Sequence, residues 1–407
     1  MTDLPQQIDA LIAGAGPAGS ASAVLLAQAG YSVLAIDRAR FPRDKACAEY
    51  MSPEAVRILS RLGVVERLER TGAVALEGMK VTASRGATAH GVFARSRHQP
   101  FRPTGLSVSR RVLDHVLVDA ARSAGAQIME RAALEELLYD QGGVTGAVIR
   151  DSAGHRHAVH ARLTVGADGL RSIVARRMGR RTHTRPRRVA FVTHVAGVQQ
   201  MGSSAELHFG RTGYAGLNQI AEGRANVAVV VPAARAASAR GRVREFFFEA
   251  LAEFTGVRER VEAGTIVKPI LVTGPFAARS RRVTAPGCLL VGDAADFYDP
   301  VTGDGIYSAL RGAELVAESM IPGLAYSGFI PAESFRTYRQ LRRRAFAGKW
   351  MMERLTRALM HFPSIFDRTV DRLGRSHDMA HTAIGVAGGF VPLREMLKLR
   401  FIARVVF

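Results

Sequence analysis

The stretch Ile8–Ser20, IDALIAGAGPAGS, joins a short apolar run to a glycine-rich turn. The apolar residues before Gly14 predict a buried parallel strand. The alanine- and leucine-rich stretch Pro17–Ala29 predicts a helix that ends before Gly30, and Tyr31–Ile36 predicts a second buried strand. The order strand, glycine turn, helix, strand is that of one βαβ-type unit.

The glycine spacing in this unit predicts a dinucleotide-binding site. Gly14 permits a tight turn, Gly16 lets the backbone approach a pyrophosphate, and Gly19 lets helix and strand pack closely. The start of the helix offers free N–H groups and the positive end of a dipole to phosphates. Asp37, 23 residues after Gly14 at the end of the second strand, can accept hydrogen bonds from ribose hydroxyls. A purely structural glycine turn is the alternative, and the order of the flanking elements argues against it.

Length and composition indicate a globular enzyme-sized chain. Its 407 residues, 47% of them hydrophobic, can build more than one domain. The two cysteines, Cys47 and Cys288, cannot form a disulfide framework, so a reducing cytoplasm is the expected compartment. The sequence shows neither a basic and apolar leader nor an apolar run of about 18 residues. We therefore expect a cytoplasmic protein that touches a membrane, if at all, from outside.

The net charge of +20 is carried mainly by arginine and favours anionic ligands or surfaces. Half of this excess lies beyond residue 335, where 15 Lys/Arg face 5 Asp/Glu. Nucleic acid is not expected as a partner, because the aromatic residues do not interleave with the basic cluster that precedes residue 188. That cluster is interpreted as a solvated face, and the scattered histidines predict no metal site. Its arginines are Arg176, Arg177, Arg180, Arg181 and Arg185.

Two further glycine–acid segments decide which dinucleotide is bound. The first is Val165-Gly-Ala-Asp168-Gly169, and the second is Val291-Gly292-Asp293, followed by Asp299–Ile306. Together with the glycine turn, in this order, they resemble the FAD-binding signatures of the aromatic hydroxylase (PHBH-type) and geranylgeranyl reductase superfamily. The resemblance covers the first 180 residues and about 280 to 320. It implies an α/β fold with a Rossmann-type FAD-binding domain, an inserted, mostly antiparallel β-sheet substrate domain and a helical C-terminal region.

The resemblance also implies roles for individual residues. Asp293 would bind the ribitol chain of FAD, and Asp168 would lie near the pyrophosphate and brace the domain. The segment Pro300–Ile306 would place a helix N-terminus against the pyrimidine edge of the flavin, where it stabilises negative charge. Arg110 would reach the cofactor, with a plain surface arginine as the alternative. The full set of predicted cofactor-binding residues is Gly14, Gly16, Pro17, Ala18, Gly19, Asp37, Arg38, Lys45, Arg110, Asp168, Gly292, Asp293, Pro300, Gly303, Gly305 and Ile306.

The segment Arg38–Pro53, RARFPRDKACAEYMSP, narrows the resemblance to one branch of this superfamily. It looks like the corresponding segment of geranylgeranyl reductases, menaquinone reductases and related tailoring oxidoreductases. In that branch the cysteine lies near the flavin, so Cys47 is the candidate catalytic residue. A small buried hydrophobe is the alternative interpretation of this cysteine. Ala48 departs from the pattern, because the family has glycine there.

A second departure affects the expected reaction. Prenyl reductases and flavin halogenases carry tryptophan-containing motifs in the substrate domain, whereas Gly213–Ile220 retains only Gly-Tyr and the single tryptophan is Trp350. This stretch, with Arg224–Val227 after it, looks more like flavin hydroxylases of polyketides and phenolic lipids. The expected function is thus an NAD(P)H- and O2-dependent monooxygenase that hydroxylates or epoxidises a hydrophobic aromatic, polyketide or lipid-like substrate. A flavin ene reductase that saturates isoprenoid double bonds is the alternative, and a flavin-binding protein without turnover is a third class.

The expected domains are discontinuous. Residues 1–78, 100–183 and 278–330 would form the FAD-binding domain, 79–99 and 184–277 the substrate domain, and 331–407 the helical C-terminal region. No second GxGxxG follows a strand, so NAD(P)H would dock transiently near the flavin unless a partner protein delivers the electrons. The C-terminal stretch Val391–Phe407 mixes apolar and basic residues as a helix on an anionic membrane does. A helix packed on the protein's own core is the alternative.

Overall fold

The computed structural model describes residues 7–179, 181–183, 187–254 and 256–406. Within these ranges the strands are β1 (Gln7–Ala13), β2 (Val33–Asp37), β3 (Tyr50–Met51), β4 (Val74–Leu76), β5 (Gly78–Thr82), β6 (Thr88–Val92), β7 (Gly105–Ser107), β8 (Gln127–Glu130), β9 (Ala133–Asp140), β10 (Gly143–Arg150), β11 (Arg156–Gly166), β12 (Arg181–His183), β13 (Arg188–Ala196), β14 (Ser204–Phe209), β15 (Tyr214–Ala221), β16 (Arg224–Pro232), β17 (Thr265–Ile266), β18 (Leu271–Thr273), β19 (Ala278–Ser280), β20 (Thr284–Ala285), β21 (Cys288–Leu290) and β22 (Asp296–Phe297). The helices of the same ranges are α1 (Pro17–Gln28), α2 (Pro53–Arg61), α3 (Val65–Arg70), α4 (Arg110–Ser123), α5 (Ile173–Arg177), α6 (Ala233–Ala236), α7 (Val243–Leu251), α8 (Val257–Glu262), α9 (Gly305–Leu324), α10 (Ala332–Met360), α11 (Pro363–Gly374), α12 (His377–Ala387) and α13 (Leu399–Val406).

The first large sheet is built around β1. Its strand order is β20-β21-β11-β1-β2-β8, and the central pairs of this order are parallel. Alternate residues of β1 enter different clusters: Ala10 and Ile12 pack with α1, α4 and α9, whereas Leu11 and Ala13 pack on the opposite face with β9 and β10. Both faces are therefore buried, which explains the nearly continuous apolar sequence of the strand.

The second large sheet has the order β17-β13-β16-β15-β14-β5-β6, and β18 pairs with β13. It is antiparallel except for the pairing of β14 with β5. One face packs against α7 and α8, and the other face carries the small apolar residues Ala190, Val192, Ala228 and Val230. The hairpin β5–β6 thus belongs to a sheet whose other strands lie about a hundred residues or more later in the chain, because β5 pairs with β14. The domain boundaries drawn from the sequence stay a prediction.

The C-terminal helices cover both sheets. Helix α10 packs along α9, while α11 and α12 contact β6 of the second sheet. The stretch after Val391 is helical only in α13, beyond a short 3-10 turn at Leu393–Glu395. None of the described helices is both long and apolar enough to cross a bilayer.

Helix α4 starts earlier than its apolar pattern suggests. The pattern begins at Leu113, but the helix begins at Arg110 because the Ser109 hydroxyl caps it by accepting a hydrogen bond from the Val112 N–H at 3.4 Å. Arg110 therefore belongs to the first turn of α4, and its side chain is buried in the protein.

Candidate active site

One cavity lies between the glycine turn and the second sheet, and it brings most of the predicted cofactor-binding residues together. Those that line it are Gly16, Pro17, Ala18, Lys45, Arg110, Gly292, Asp293, Pro300, Gly303, Gly305 and Ile306, and the predicted catalytic residue Cys47 lines it as well. The other predicted residues, Gly14, Gly19, Asp37, Arg38 and Asp168, are not part of the lining.

The three glycines of the turn have different surroundings. A Cβ at Gly14 would lie 2.5 Å from the Ala167 carbonyl oxygen, and a Cβ at Gly19 would lie 1.7 Å from the Gly14 carbonyl oxygen. These two glycines permit backbone packing. A Cβ at Gly16 would instead point into the cavity, 3.7 Å from Nη2 of Arg43 and 3.8 Å from Nη2 of Arg110. The turn therefore leaves open a cradle in which a pyrophosphate can approach the backbone.

Asp37 fastens the glycine turn to the end of β2. Its Oδ2 accepts a hydrogen bond from the Ala15 N–H at 2.9 Å, and its Oδ1 accepts one from the Ala39 N–H at 2.8 Å. Arg38 beside it is exposed. The ribose contact predicted for Asp37 and the cofactor contact predicted for Arg38 stay predictions.

Cations surround the cradle. Arg110 binds Asp114 through Nε and Nη2, both at 2.7 Å, and Arg43 reaches the same carboxylate at 2.9 Å. Lys45 is the third cation, and burial together with the nearby Arg110 lowers the pKa of its ammonium group. Two of these cations, Arg43 and Arg110, thus share the fully buried carboxylate of Asp114, while Lys45 and Asp293 both line the cavity. A diphosphate would balance this charge, so the residues present fit the pyrophosphate of FAD.

Cys47 lies in the cavity wall as a neutral thiol. Its sulfur accepts a hydrogen bond from the Glu49 N–H at 3.3 Å. Burial raises the pKa of the Cys47 thiol, although Arg110 acts in the opposite direction. Cys47 therefore holds its proton at neutral pH and can donate it to a bound molecule. Cys288, in contrast, is buried in β21 away from the cavity.

Glu49 was not singled out from the sequence, yet it anchors several parts of the site. It is 1% exposed, its Oε1 accepts the Arg110 N–H at 2.8 Å, and its Oε2 lies 2.7 Å from Nε2 of His194. Lys268 Nζ also approaches this nitrogen, at 3.1 Å, and lies 3.4 Å from Oδ1 of the exposed Asp44. A chain of titratable groups therefore runs from the surface to the backbone behind Cys47. An isolated acidic residue in the sequence gives no signal of such a chain.

The positive backbone φ in this segment lies at Glu49 and not at Ala48. Glu49 has φ 58°, and its buried carboxylate contacts hold it there. Ala48 keeps an ordinary conformation and accepts a hydrogen bond from Asn226 Nδ2 through its carbonyl oxygen at 3.1 Å. The alanine at the family's glycine position is thus accommodated without strain.

The retained Tyr214 of the altered substrate-domain motif supports the loop that leads to α9. Its hydroxyl donates to Asp299 Oδ1 at 2.5 Å, and this carboxylate also accepts the Val301 N–H at 3.2 Å. Gly303, with φ 68°, then turns the chain into α9. The side chain of Tyr214 joins the second sheet to the helix start that the sequence places beside the flavin.

Asp168 has a local role outside the cavity lining. Its Oδ2 accepts hydrogen bonds from Ile173 N–H at 2.6 Å and Val174 N–H at 3.3 Å, and so caps α5. Its neighbours Ala167 and Gly169 do line the cavity. The carboxylate therefore fixes the turn on which they lie, while its predicted place near the pyrophosphate stays a prediction.

The interpretation of the basic cluster as a solvated face is wrong for one of its members. Arg176 and Arg177 are exposed, but Arg181 is half-buried and donates to the Asp293 carbonyl oxygen at 3.1 Å. Strand pairing of β12 with β19 turns this arginine inward. Arg180 and Arg185 lie outside the described residues.

The wall contributed by the second sheet is mostly apolar. Ala190, Val192, Leu207, Ala228 and Val230 line it. Glu206 is an ionised exception: burial would raise its pKa, but hydrogen bonds from Arg260 and His208 bring that pKa down to about 2. Asn218 is a second polar group, held by Ser107 at 2.7 Å. Among the described residues no three His, Cys, Asp or Glu side chains lie close enough to hold a metal.

Comparison with known proteins establishes the class. The family described as FAD binding domain matches residues 7–353, and the chain belongs to this family of FAD-dependent oxidoreductases. This membership confirms the resemblance and the fold class inferred from the motifs.

Three individual proteins illustrate this similarity in sequence and in fold. The menaquinone reductase of Mycolicibacterium smegmatis is 30% identical over 334 residues, which cover 77% of this chain and 76% of that protein. Digeranylgeranylglycerophospholipid reductase 2 of Methanothermobacter thermautotrophicus is 29% identical over 377 residues and covers 90% and 91% of the two chains. The flavin-dependent brominase Bmp2 shares the fold with a TM-score of 0.82 and 21% identity, over 94% of each chain.

Proposed function

We propose that the chain is a flavin-dependent ene reductase that saturates a carbon–carbon double bond of a long, apolar, isoprenoid-type substrate. The observation that carries the proposal is Cys47, a neutral thiol in the wall of an otherwise mostly apolar cavity. The sequence interpretation placed oxygenation first. The position of Cys47 and the relatives named as menaquinone and digeranylgeranylglycerophospholipid reductases favour reduction.

The reaction adds two hydrogens across the double bond. Reduced FAD, when bound, supplies a hydride to the substrate or, in the alternative reaction, passes its electrons to O2. In reduction, the Cys47 S–H protonates one alkene carbon while the hydride joins the neighbouring carbon. The Cys47 thiolate then regains a proton from solvent. We propose NAD(P)H as the source of the hydride.

The second sheet would hold the substrate. Its small residues Ala190, Ala228 and Val230 leave space above the cofactor cradle, and burying an apolar chain there gains about 25 cal/mol per Å². The same wall excludes water from the reacting carbons.

A monooxygenase is the second candidate, favoured by Gly213–Ile220. This stretch forms most of β15 without the tryptophans of the prenyl reductase motif, and it places Asn218 in the cavity wall, where an amide can bind a phenol or ketone. Oxygenation needs no proton donor at position 47. The two candidates therefore differ in their dependence on Cys47.

Product mass distinguishes the two reactions. FAD-loaded protein is incubated with NADPH and a polyprenyl quinone or a lipid extract, with and without air, and masses are compared. We expect a product two hydrogens heavier, formed equally well without air, and a loss of at least a hundredfold in rate for Cys47→Ala. Cys288→Ala serves as the matched control, since Cys288 lies outside the cavity lining. A product that gains one oxygen atom only in air, at an unchanged rate in Cys47→Ala, would replace the proposal with the monooxygenase.

A further inference from the structure

A second concave surface lies behind the segment Asp293–Pro300. It consists of two adjoining cavities of about 360 and 570 Å³, which share Arg279 and Arg281 in their walls. One wall is formed by β19 and the turn after it, and the other by one face of α10. We call this surface the arginine cleft. Its arginines include Arg279, Arg281, Arg282, Arg343, Arg354 and Arg357.

The charge of the arginine cleft is uncompensated. None of the six arginines forms an ion pair with a carboxylate anywhere in the described part of the chain, whereas Arg342 beneath them is paired with Asp296. Arg343, Arg354 and Arg357 are spaced by 11 and 3 residues, so they share a face of α10. Like charges converging in a concave surface raise its positive potential and favour a polyanionic ligand.

Aromatic side chains accompany these arginines. Trp350 lies in the wall of one of the two cavities, and Tyr298 lies in the wall of the other. The guanidinium of Arg342 lies 5.3 Å from the Trp350 ring centroid, which fixes one face of the indole. Trp350 is the only tryptophan of the chain. Arginines beside an aromatic ring match a ligand that combines phosphates with a planar base.

The arginine cleft is one chain segment away from the candidate active site. Asp293, Phe297 and Pro300 of this segment line the FAD cavity, whereas Asp296 and Tyr298 line the arginine cleft. A molecule anchored by its phosphates in the cleft therefore lies beside the loop that leads to α9. The FAD pyrophosphate has its own cradle at Gly16, so the cleft is available to a different phosphorylated compound.

We propose that the arginine cleft binds the polyphosphate group of a small molecule that takes part in the reaction. Two sources share this chemistry, the phosphates of a nicotinamide dinucleotide donor and the diphosphate of an isoprenoid substrate. Arginine pairs phosphate through two parallel hydrogen bonds, and such charge-assisted contacts are stronger than hydrogen bonds between neutral groups. The inference rests on the proposed function only in that the reaction requires an electron donor and an isoprenoid-type substrate.

Calorimetry on the FAD-loaded protein tests the inference without turnover. The probes are adenosine 2′,5′-bisphosphate for the donor and geranylgeranyl diphosphate for the substrate, and emission of Trp350 reports whether the ligand reaches the cleft. The variant is Arg281→Gln/Arg343→Gln, which removes one arginine from each wall. Arg240→Gln is the control, since Arg240 is also exposed and lies outside the cleft.

We expect one probe to bind with a change in Trp350 emission, and the double variant to weaken it at least tenfold while Arg240→Gln leaves it unchanged. Binding of the bisphosphate, displaced by NADPH, assigns the cleft to the donor, and binding of the isoprenoid diphosphate alone assigns it to the substrate. Absence of binding by both probes at low salt, or equal binding by the double variant, would overturn the inference. A variant that loses the probe while the wild-type protein makes no reduced or oxygenated product would instead leave the cleft standing and refute the proposed function.

Discussion

Glu49 is a buried carboxylate with a left-handed backbone, and it connects Cys47, Arg110 and His194. His194 Nε2 lies within hydrogen-bonding distance of both Glu49 and Lys268, and it cannot donate to the carboxylate while accepting from the ammonium group. Glu49 thus ties the backbone beside Cys47 to the first turn of α4 and to β13.

The substitution Glu49→Gln tests whether the Glu49 carboxylate helps to keep the Cys47 thiol protonated. Burial is the main cause of the raised pKa of Cys47, and the Glu49 carboxylate adds to it. The thiol is present below this pKa and is lost as pH rises through it. Removing the charge lowers the pKa of Cys47, so we expect the alkaline loss of reductase activity, and the onset of alkylation by iodoacetamide, to move to lower pH. Asp44→Asn, at the exposed end of the chain, is the control.

An alkylation profile that is identical in Glu49→Gln and the wild-type protein would show that the carboxylate has only a packing role. Because Glu49 is almost fully buried, the variant can lose about 1–3 kcal/mol of stability. His194→Gln, which keeps the Glu49 carboxylate, separates this loss from the pH effect.

For single residues, the sequence predicts the cavity lining best where a recognisable motif sets the backbone conformation. Gly16, Lys45, Arg110 and Asp293 all line the cavity, and each belongs to a segment that resembles a motif of the family. Glu49 could not be found in this way, since its partner His194 lies 145 residues away and no local pattern joins them.

Among the elements, strand β15 supports the loop before α9 through one side-chain hydrogen bond, although its sequence keeps only part of the family's substrate-domain motif. Gly-Tyr is all that remains of the substrate-domain motif, and its tyrosine holds Asp299 at 2.5 Å. The loop carries the turn at Gly303 and so sets the direction of α9. The sequence predicts the helix start from its glycines but gives no indication of the support from β15.

Tyr214→Phe tests this support. Loss of the hydroxyl removes a hydrogen bond to a buried carboxylate, worth about 1.5 kcal/mol, so we expect FAD affinity to fall about tenfold with a small fall in Tm. Fluorescence titration of FAD measures the affinity. Tyr139→Phe makes the same chemical change at an exposed position and should leave it unchanged. Equal affinities of Tyr214→Phe and the wild-type protein would remove the link between β15 and the cofactor.

Over the whole molecule, the basic C-terminal residues lie beside exposed apolar ones. Helices α11 and α13 contact each other. Their exposed apolar residues are Phe362 (just before α11), Ile365, Leu399 and Ile402, and exposed Lys398 and Arg400 accompany them. We propose that this surface binds an anionic bilayer, from which an isoprenoid substrate would be taken. The basic, apolar composition predicts such a surface, but the short length of α13 and its packing on α11 depend on tertiary contacts.

Flotation with vesicles of anionic lipid tests the membrane proposal. We expect the protein to float at low salt and to remain at the bottom with neutral lipid, because the attraction combines charge with apolar burial. Leu399→Ser/Ile402→Ser should reduce flotation several-fold. Phe329→Ser, at a similarly exposed apolar position elsewhere, is the control. Wild-type protein that stays with the dense fraction at low salt would end the proposal.

The pairing of β11 with β21 has a consequence for how the protein is made. Residues 164–166 pair with residues 288–290, so on the order of ten seconds of synthesis separates the emergence of the two strands from the ribosome. During that interval β11 has an unpaired edge, which is a template for pairing with another chain. The glycine turn emerges well before Asp293 and the start of α9, which complete the lining of the cavity. Flavin capture must therefore follow synthesis of the chain through Ile306, and a supply of flavin cannot rescue a nascent chain that aggregates before that point.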